Sequence, residues 1–286
     1  MIKYKRIYLL ITCLLILGIG IYAAYLLLRK PTITIYKVYH TAYPVEKNDI
    51  VVPIHVGRAM RRKGAEPLLS QMIGDDTGDN ISFKNDRYAE LTALYWMWKN
   101  SKADYVGLMH YRRNFCMEEE DIGAQCAGVD VESTCSLYSD CGVVYDNVLK
   151  LMQEYDIITV VTLTLKDTLR EHYRIAHHIE DLELAEAYIK EHYPEMAEVF
   201  DEVIDGYEFN ARNMFIMPRE LMSRYAEWLF DVLFHIEPQI SHDDGYQRLA
   251  QAYLGERLFS VWVRYQVKVN HLKTKGLYVY VLEKAE

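Results

Sequence analysis

The stretch "DYVGLMHYRRNFC", residues 104–116, decides how the chain is read. Its apolar run from Tyr105 to Met109 reads as a short buried strand. That strand delivers His110, Tyr111, Arg112 and Arg113 to the point where it ends, so one imidazole, one phenol and two guanidinium groups meet at a strand exit.

Working outward, "NDRYAELTALYWMWKNSKA" upstream has helical spacing. Tyr88, Leu91, Leu94, Tyr95 and Trp98 recur at three and four, with Asp86 near the start and Lys99 and Lys102 near the end. Before it, "TITIYKVYH" (32–40) alternates and predicts a first strand, and "DIVVPIHVG" a short second one. Residues 57–83 carry loop signals and predict no helix. Downstream come a cysteine-bearing insert, a helix near 146–154 and the strand "YDIITVVT". Two helices broken at Pro194 follow, then the strand "RNMFIM", a helix opened by Pro218, a long amphipathic helix from "HDDG" and a closing strand "GLYVYVLE". Strands separated by helices predict an α/β fold, a mainly parallel Rossmann-type sheet flanked by helices.

The chain has 286 residues and a net charge of −9, with 51% apolar residues, enough for one full-sized core. An acidic balance argues against a nucleic-acid surface, so the Arg112–Arg113 pair suits one local anionic ligand. No repeat or composition break demands a second soluble domain.

The first thirty residues read as an uncleaved, single-pass membrane anchor. Residues 7–28 carry no charge and are long enough to span a bilayer, with Lys3, Lys5 and Arg6 before them and Arg29 and Lys30 after. Residues 31–286 form the expected globular domain. Charge on both flanks leaves the orientation open. Of the five cysteines, Cys116, Cys126, Cys135 and Cys141 cluster within an insert at about 116–141. Two disulfides, reduced thiols and, least favoured, a zinc site all fit them, because no C-x-x-C pair occurs.

In an open α/β sheet, ligands sit beyond the carboxyl ends of the strands. Guanidinium groups match phosphate in geometry and charge, so His110-Tyr111-Arg112-Arg113 suits a ligand carrying a diphosphate. The plainer alternative is a surface network between these arginines and the acidic run 118–121. In "GDDTGDNIS", Asp75, Asp76 and Asn80 offer oxygens for a metal or a ribose hydroxyl, although such loops are more often plain turns. His177, His178 and His242-Asp243-Asp244 lie at helix starts and offer metal ligands or general bases, with helix capping the plainer alternative. Glu256-Arg257 offers either a buried ion pair or a ligand contact.

"TGDNISFKNDRYAELTALYWMWKN" followed by "DYVGLMHYRRNF" resembles the signature of a bacterial capsule and exopolysaccharide glycosyltransferase family, long labelled only as a domain of unknown function. Its better-understood relatives resemble galactofuranosyltransferases. The similarity continues through "NMFIM", "WLFDVLF" and "GERLFSVW". It implies a glycosyltransferase-A type fold whose β-strand exit binds the donor diphosphate. Many such enzymes carry Asp-x-Asp there, holding a divalent metal; here the position reads His110-Tyr111-Arg112-Arg113, so fixed cations are expected to replace the ion. Mn²⁺ or Mg²⁺ remains a less favoured alternative, and no metal ligand set is assigned.

The matching implies donor-site roles for His40, Asp76, Asn80, Asn85, Glu90 and Arg257 beside His110, Tyr111, Arg112 and Arg113. Asp243, Asp244 and Glu256 are the candidate catalytic carboxylates, and His177 and Asn213 are assigned to the acceptor. The cysteine insert, the apolar N-terminus and Ala252 in place of an expected glycine depart from the family pattern. The expected reaction moves a sugar from a nucleotide donor, UDP by preference, to a glycan or lipid-linked glycan acceptor, on the cytoplasmic face where nucleotide sugars are made. Two rivals are a membrane-tethered, non-catalytic glycan-binding or assembly protein with the same fold, and a metal-dependent hydrolase using His177, His178, His242 and Asp244.

Overall fold

Strands that are apolar on both faces must be covered by helices on both sides, and the chain follows that rule. The computed structural model describes residues 12, 16–18, 20, 29–41, 43–61, 71–117, 143–242 and 245–281. It separates into two units, Met1–Thr32 and Ile33–Glu286. In the first, residues 12, 16–18 and 20 are helical, and most of the expected anchor lies outside the described residues. Among the described residues no helix is long and apolar enough to cross a membrane. Cys126, Cys135 and Cys141 also lie outside them, while Cys116 is buried.

The second unit is built on β1 (Ile33–Tyr39), β2 (Val51–His55), β3 (Ile73–Gly74), β4 (Tyr105–His110), β6 (Ile157–Val160), β9 (Phe215–Pro218) and β10 (Thr274–Leu277). They form one sheet in the order β10-β6-β9-β4-β1-β2-β3. Two small ribbons add β5 (Arg113–Phe115) to β11 (Val279–Val281), and β7 (Leu163–Thr164) to β8 (Glu208–Phe209). β1 pairs in parallel with β2 and β4, β2 with β3, and β6 with β10. β9 alone runs against its neighbours β4 and β6, so the sheet is mainly parallel. Being reversed, β9 is entered from the edge where β4 ends, and this sets the turn before Phe215 beside His110.

The helices are α1 (Asn85–Tyr88), α2 (Leu91–Asn100), α3 (Tyr145–Glu154), α4 (Leu169–Ala176), α5 (Ile179–His192), α6 (Ala197–Ile204), α7 (Arg219–Ile236) and α8 (Ala250–Lys268). One face of the sheet buries Leu94, Leu182, Leu229, Phe230, Leu258 and Phe259 from α2, α5, α7 and α8. The other buries Ile35, Met109, Phe115 and Ile216 with Val148 of α3. Lys37 interrupts this second face, fully buried on a central strand. Its Nζ donates to Glu46 and, at 2.7 Å, to Asn114 Oδ1; Asn114 Nδ2 donates back to Glu46 Oε2 at 2.9 Å. Burial lowers the Lys37 pKa, so its partners are what keep the charge tolerable.

Five expectations change, the first being that the helix read from residue 242 begins only at Ala250, after a 3₁₀ turn at Gln247–Leu249, so His242 is not at a helix start. The helix read across residues 85–103 is broken at Ala89, which has φ 44°. The stretch 57–83, expected to hold no helix, contains 3₁₀ turns at Arg58–Met60 and Ser82–Lys84. α4 was not expected, although Thr168-x-x-Glu171 is a helix-start signal: the Thr168 side chain accepts from Glu171 N–H at 3.2 Å. The closing strand splits at Tyr278 between two sheets.

Gly107 fixes the approach of β9 to β4. A Cβ there would lie 2.9 Å from Phe215 O, a contact that only backbone movement relieves, and 3.0 Å from Ile216 Cγ1. Gly107→Ala is therefore expected to lower unfolding free energy by about 1–3 kcal/mol, the usual cost of overpacking. Urea melts at constant slope check this, and an unchanged midpoint would show that β9 is free to shift.

Candidate functional site

A cleft of about 400 Å³ opens at the carboxyl ends of β1, β2 and β4. Val38, His40 and Val56 line it from the strand ends, and His110 and Tyr111 from the β4 exit. Asn85, Asp86 and Glu90 come from the α1–α2 junction, and Gly245 and Arg248 from the turn before α8. Register places His110 opposite Val38. Tyr111 packs edge-on to His40 and Tyr43, at 5.0 and 5.1 Å between ring centroids, with the Arg112 guanidinium 5.3 Å over its ring. Arg112 is exposed, whereas Arg113 is half-buried on β5.

The break at Ala89 aims Glu90 at this cleft. Asn85 Nδ2 donates to Ala89 O at 2.7 Å and to Thr92 Oγ1 at 3.1 Å, holding a sparsely populated backbone conformation that costs an L-residue about 1–3 kcal/mol. Glu90 thus becomes the residue before α2, where the helix macrodipole favours a negative charge. A continuous helix would carry it elsewhere.

Opposite stands the 3₁₀ turn Ala211–Asn213, with Arg212 at φ 81° and Asn213 at φ 46°. Its consecutive groups reach three distant elements. Arg212 N–H donates to Glu256 Oε1 of α8 at 2.8 Å. Arg212 O takes a 2.7 Å hydrogen bond from His110 Nε2. Asn213 Nδ2 donates to Glu90 Oε1 at 2.8 Å. Gly255 lets α8 come this close, because a Cβ there would lie 2.7 Å from Leu91 Cδ1.

Electrostatics follow from this crowding. Burial raises the Glu90 pKa, opposed by the Asn213 hydrogen bond and the Arg113 charge. Burial also raises Glu256, opposed by Arg257 and reinforced by the like charge of Glu90. Burial, then Arg113, lowers His110 to about 4. The imidazole is therefore neutral near pH 7; with Nε2–H donating to Arg212 O, its Nδ1 is left as an acceptor. The result is two carboxylates with enhanced affinity for a proton, a neutral imidazole, and a guanidinium acting on both kinds of group.

The residues picked out from sequence divide clearly. His40, Asn85, Glu90, His110 and Tyr111 line the cleft. Arg113, Asn213 and Glu256 join through hydrogen bonds and charge. Arg257 is buried behind Glu256, its Nη1 3.2 Å from Glu256 Oε2 and its Nη2 3.2 Å from His172 Nδ1, so it serves as a support for the carboxylate. Asp76 pairs with Arg58 at 3.8 Å, and Asn80 closes a turn through Gly78 O and Ser82 N; neither lines the cleft. Asp75 is consumed as an internal cap. It accepts from Gly57 N–H at 2.9 Å, Arg58 N–H at 3.2 Å, Thr92 Oγ1 at 2.7 Å and Ser82 Oγ. His177 is buried and stacked on Tyr253 at 4.1 Å, away from the cleft lining, and His242 is bound to Asp181 at 2.9 Å. Asp243 and Asp244 lie outside the described residues. Sequence reading missed Arg248, Asp86 and the backbone of Arg212; no motif marks the first two, and a backbone role leaves no residue-type signal.

Residues 34–268 match the family model described as Domain of unknown function (DUF4422). Among solved structures, the chain is similar to the apo structure of WbbM, a bifunctional glycosyltransferase, with TM-score 0.77 and 30% identity. The match covers 88% of this chain and 46% of that one, so the chain spans about half the length of WbbM. No curated protein matches it. The mixed α/β architecture with a mainly parallel central sheet agrees with a glycosyltransferase-A-like fold.

A carboxyl group whose pKa is raised by folding costs stability as pH climbs from its ordinary value of 4.5 through the raised one, because the folded state binds the proton more tightly than the unfolded state. Glu90→Gln keeps an oxygen acceptor for Asn213 and deletes that cost. It is expected to melt above the wild type at pH 7–8, with the difference closing as pH falls below the ordinary carboxylate value. A variant no more stable at pH 8 would mean that Arg113 and Asn213 fully compensate the buried charge.

Proposed function

The chain belongs to the family described as a domain of unknown function (DUF4422), and from that premise we propose that it is a glycosyltransferase moving a sugar from a nucleotide donor to a glycan acceptor. The observation that carries this reading is that Glu90 and His110, in the cleft at the carboxyl edge of the sheet, are joined through the turn Ala211–Asn213 and through charge to Glu256 and Arg113 beside it. Likeness to WbbM, itself a glycosyltransferase, supports it. So does the cleft's volume, which falls in the range of small-ligand sites.

The donor diphosphate is assigned to the β4 exit, with Arg112 and Arg113 meeting its charge and UDP the expected nucleotide. Asp75, an acidic side chain of the loop 74–82, is already saturated by protein donors, and the arginines are assigned the charge that a metal would otherwise meet. No step is therefore routed through a metal. In an inverting transfer, the acceptor hydroxyl oxygen bonds to the anomeric carbon while the bond from that carbon to the diphosphate oxygen breaks. The bonding pair leaves with the nucleoside diphosphate. The hydroxyl proton passes to Glu256, whose raised proton affinity suits a general base. Glu90 is assigned to the transferring sugar, and Asn213, expected at the acceptor, goes with it because its Nδ2 is held on Glu90 Oε1. A surface-polysaccharide or lipid-linked acceptor, and a single-pass tether through residues 7–28 with the domain facing the cytoplasm, complete the proposal.

Thermal melts of the full chain with UDP and UDP-sugars in EDTA test the donor site. Ligand at a hundredfold excess over Kd adds about 2.7 kcal/mol, a rise of several degrees. The rise is expected without metal and is expected to vanish in Arg112→Ala combined with Arg113→Ala. Glu256→Gln is expected to keep the shift and lose transfer about 10²–10⁴-fold. A shift that requires Mn²⁺ would overturn the arginine assignment; no shift with any nucleotide would favour a non-catalytic glycan-binding protein.

A further inference from the structure

A second groove, of about 600 Å³, runs between the outer strands β6 and β10 on one side and α8 on the other. β6 lies antiparallel to β9, and β9 to β4, so β6 and β10 run in the same direction as β4 and end at the same edge of the sheet. Two sites on one molecule thus share an edge, divided by the turn Ala211–Asn213.

The groove's lining is chemically unlike the cleft's. Thr159, Thr162, Thr164, Thr274, Ser260 and Asn210 give it neutral groups that both donate and accept hydrogen bonds, which is the repertoire of a sugar hydroxyl. Its cation is already engaged: Arg264 Nε lies 2.8 Å from Glu202 Oε1, and Lys268 Nζ, beside it, 2.7 Å from Glu202 Oε2. With Glu202 and Glu208 also in the lining, an anionic ligand gains little there, whereas a polyol finds hydroxyl and amide partners set among Val203, Val263 and Val267. Tyr207, 52% exposed, stands in the lining with a ring available for stacking on a pyranose or furanose face.

The inner end of the groove touches the carboxylate machinery. Asn210 N–H donates to Ser260 Oγ at 3.0 Å, and Ser260 Oγ donates to Glu256 O, one helical turn back, at 3.3 Å. Two residues after Asn210, Arg212 N–H holds the Glu256 carboxylate itself. A chain lying in the groove with its terminal sugar at Asn210 points its end toward Glu256.

We propose that this groove is the acceptor site and takes a neutral oligosaccharide in extended form, an assignment that rests on the transferase reading for its purpose but not for its chemistry. Saturation-transfer NMR on the full chain with neutral gluco-, galacto- and mannotetraose tests it, beside UDP-induced thermal shifts on the same samples. Wild type is expected to bind at least one tetraose. Thr164→Trp, which fills the groove from the short exposed strand β7, and Tyr207→Ala, which removes the exposed ring, are each expected to weaken binding about tenfold, or 1.4 kcal/mol, with the UDP shift unchanged. Tetraose binding that is equal in both variants, or absent in wild type, overturns the assignment. Tetraose binding that follows the variants while UDP shifts nothing would uphold a saccharide groove and remove the transferase reading instead.

Discussion

Two carboxylates of like charge do not sit together in a crowded place unless something holds them there. In this chain that constraint is met by the turn Ala211–Asn213, whose backbone N–H, backbone carbonyl and side-chain amide are given to Glu256, His110 and Glu90 in succession. The turn bears the cost of two left-handed residues, Arg212 and Asn213, and asparagine is among the residue types that accept such a conformation. The reversed strand β9 places the turn at the correct edge, and Gly255 lets α8 approach far enough for Glu256 to be reached. Fold and site are therefore one arrangement, not a scaffold with residues added to it.

Charge in the cleft is partitioned rather than cancelled. Arg113 acts on Glu90 and His110 together, easing the charge on the first and discouraging it on the second. Burial is the larger influence on both groups; the guanidinium opposes its effect on Glu90 and adds to its effect on His110. Asp75, only one residue before Asp76 in an acid-rich loop, takes no part: four protein donors bind it. Carboxylates close in sequence can thus have unrelated work, and what separates them is the number of fixed donors each faces.

Much of the fold was legible because periodicity and burial agree. β1, β4, α7 and α8 follow from alternation or helical spacing, and the His110 exit stands at a strand end as its apolar run implies. The break at Ala89 was not legible, because alanine is a strong helix former and the force that reverses it is tertiary: the Asn85 amide and Thr92 hold it from outside the local pattern. The direction of β9 was equally hidden, since a four-residue apolar strand reads alike either way. In the site, Glu90 and Glu256 stood out through family resemblance, yet their partnership through Arg212 and Asn213 depends on backbone groups and positive φ, which residue types do not announce. Arg257 was open to two readings, half of a buried ion pair with Glu256 or a donor contact, and it stands buried against Glu256, a choice that only burial reveals.

The reach of the turn also has a temporal meaning. Residues 90, 110, 212–213 and 256 are joined, so the site closes loops that take in most of the chain and depends on contacts of long sequence separation, the slowest kind to form. During synthesis, β1, β2 and β4 leave the ribosome long before α8. A nascent chain that stops short of residue 256 lacks one of the two carboxylates, so the cleft acquires its full charge pattern only when nearly the whole polypeptide has been made.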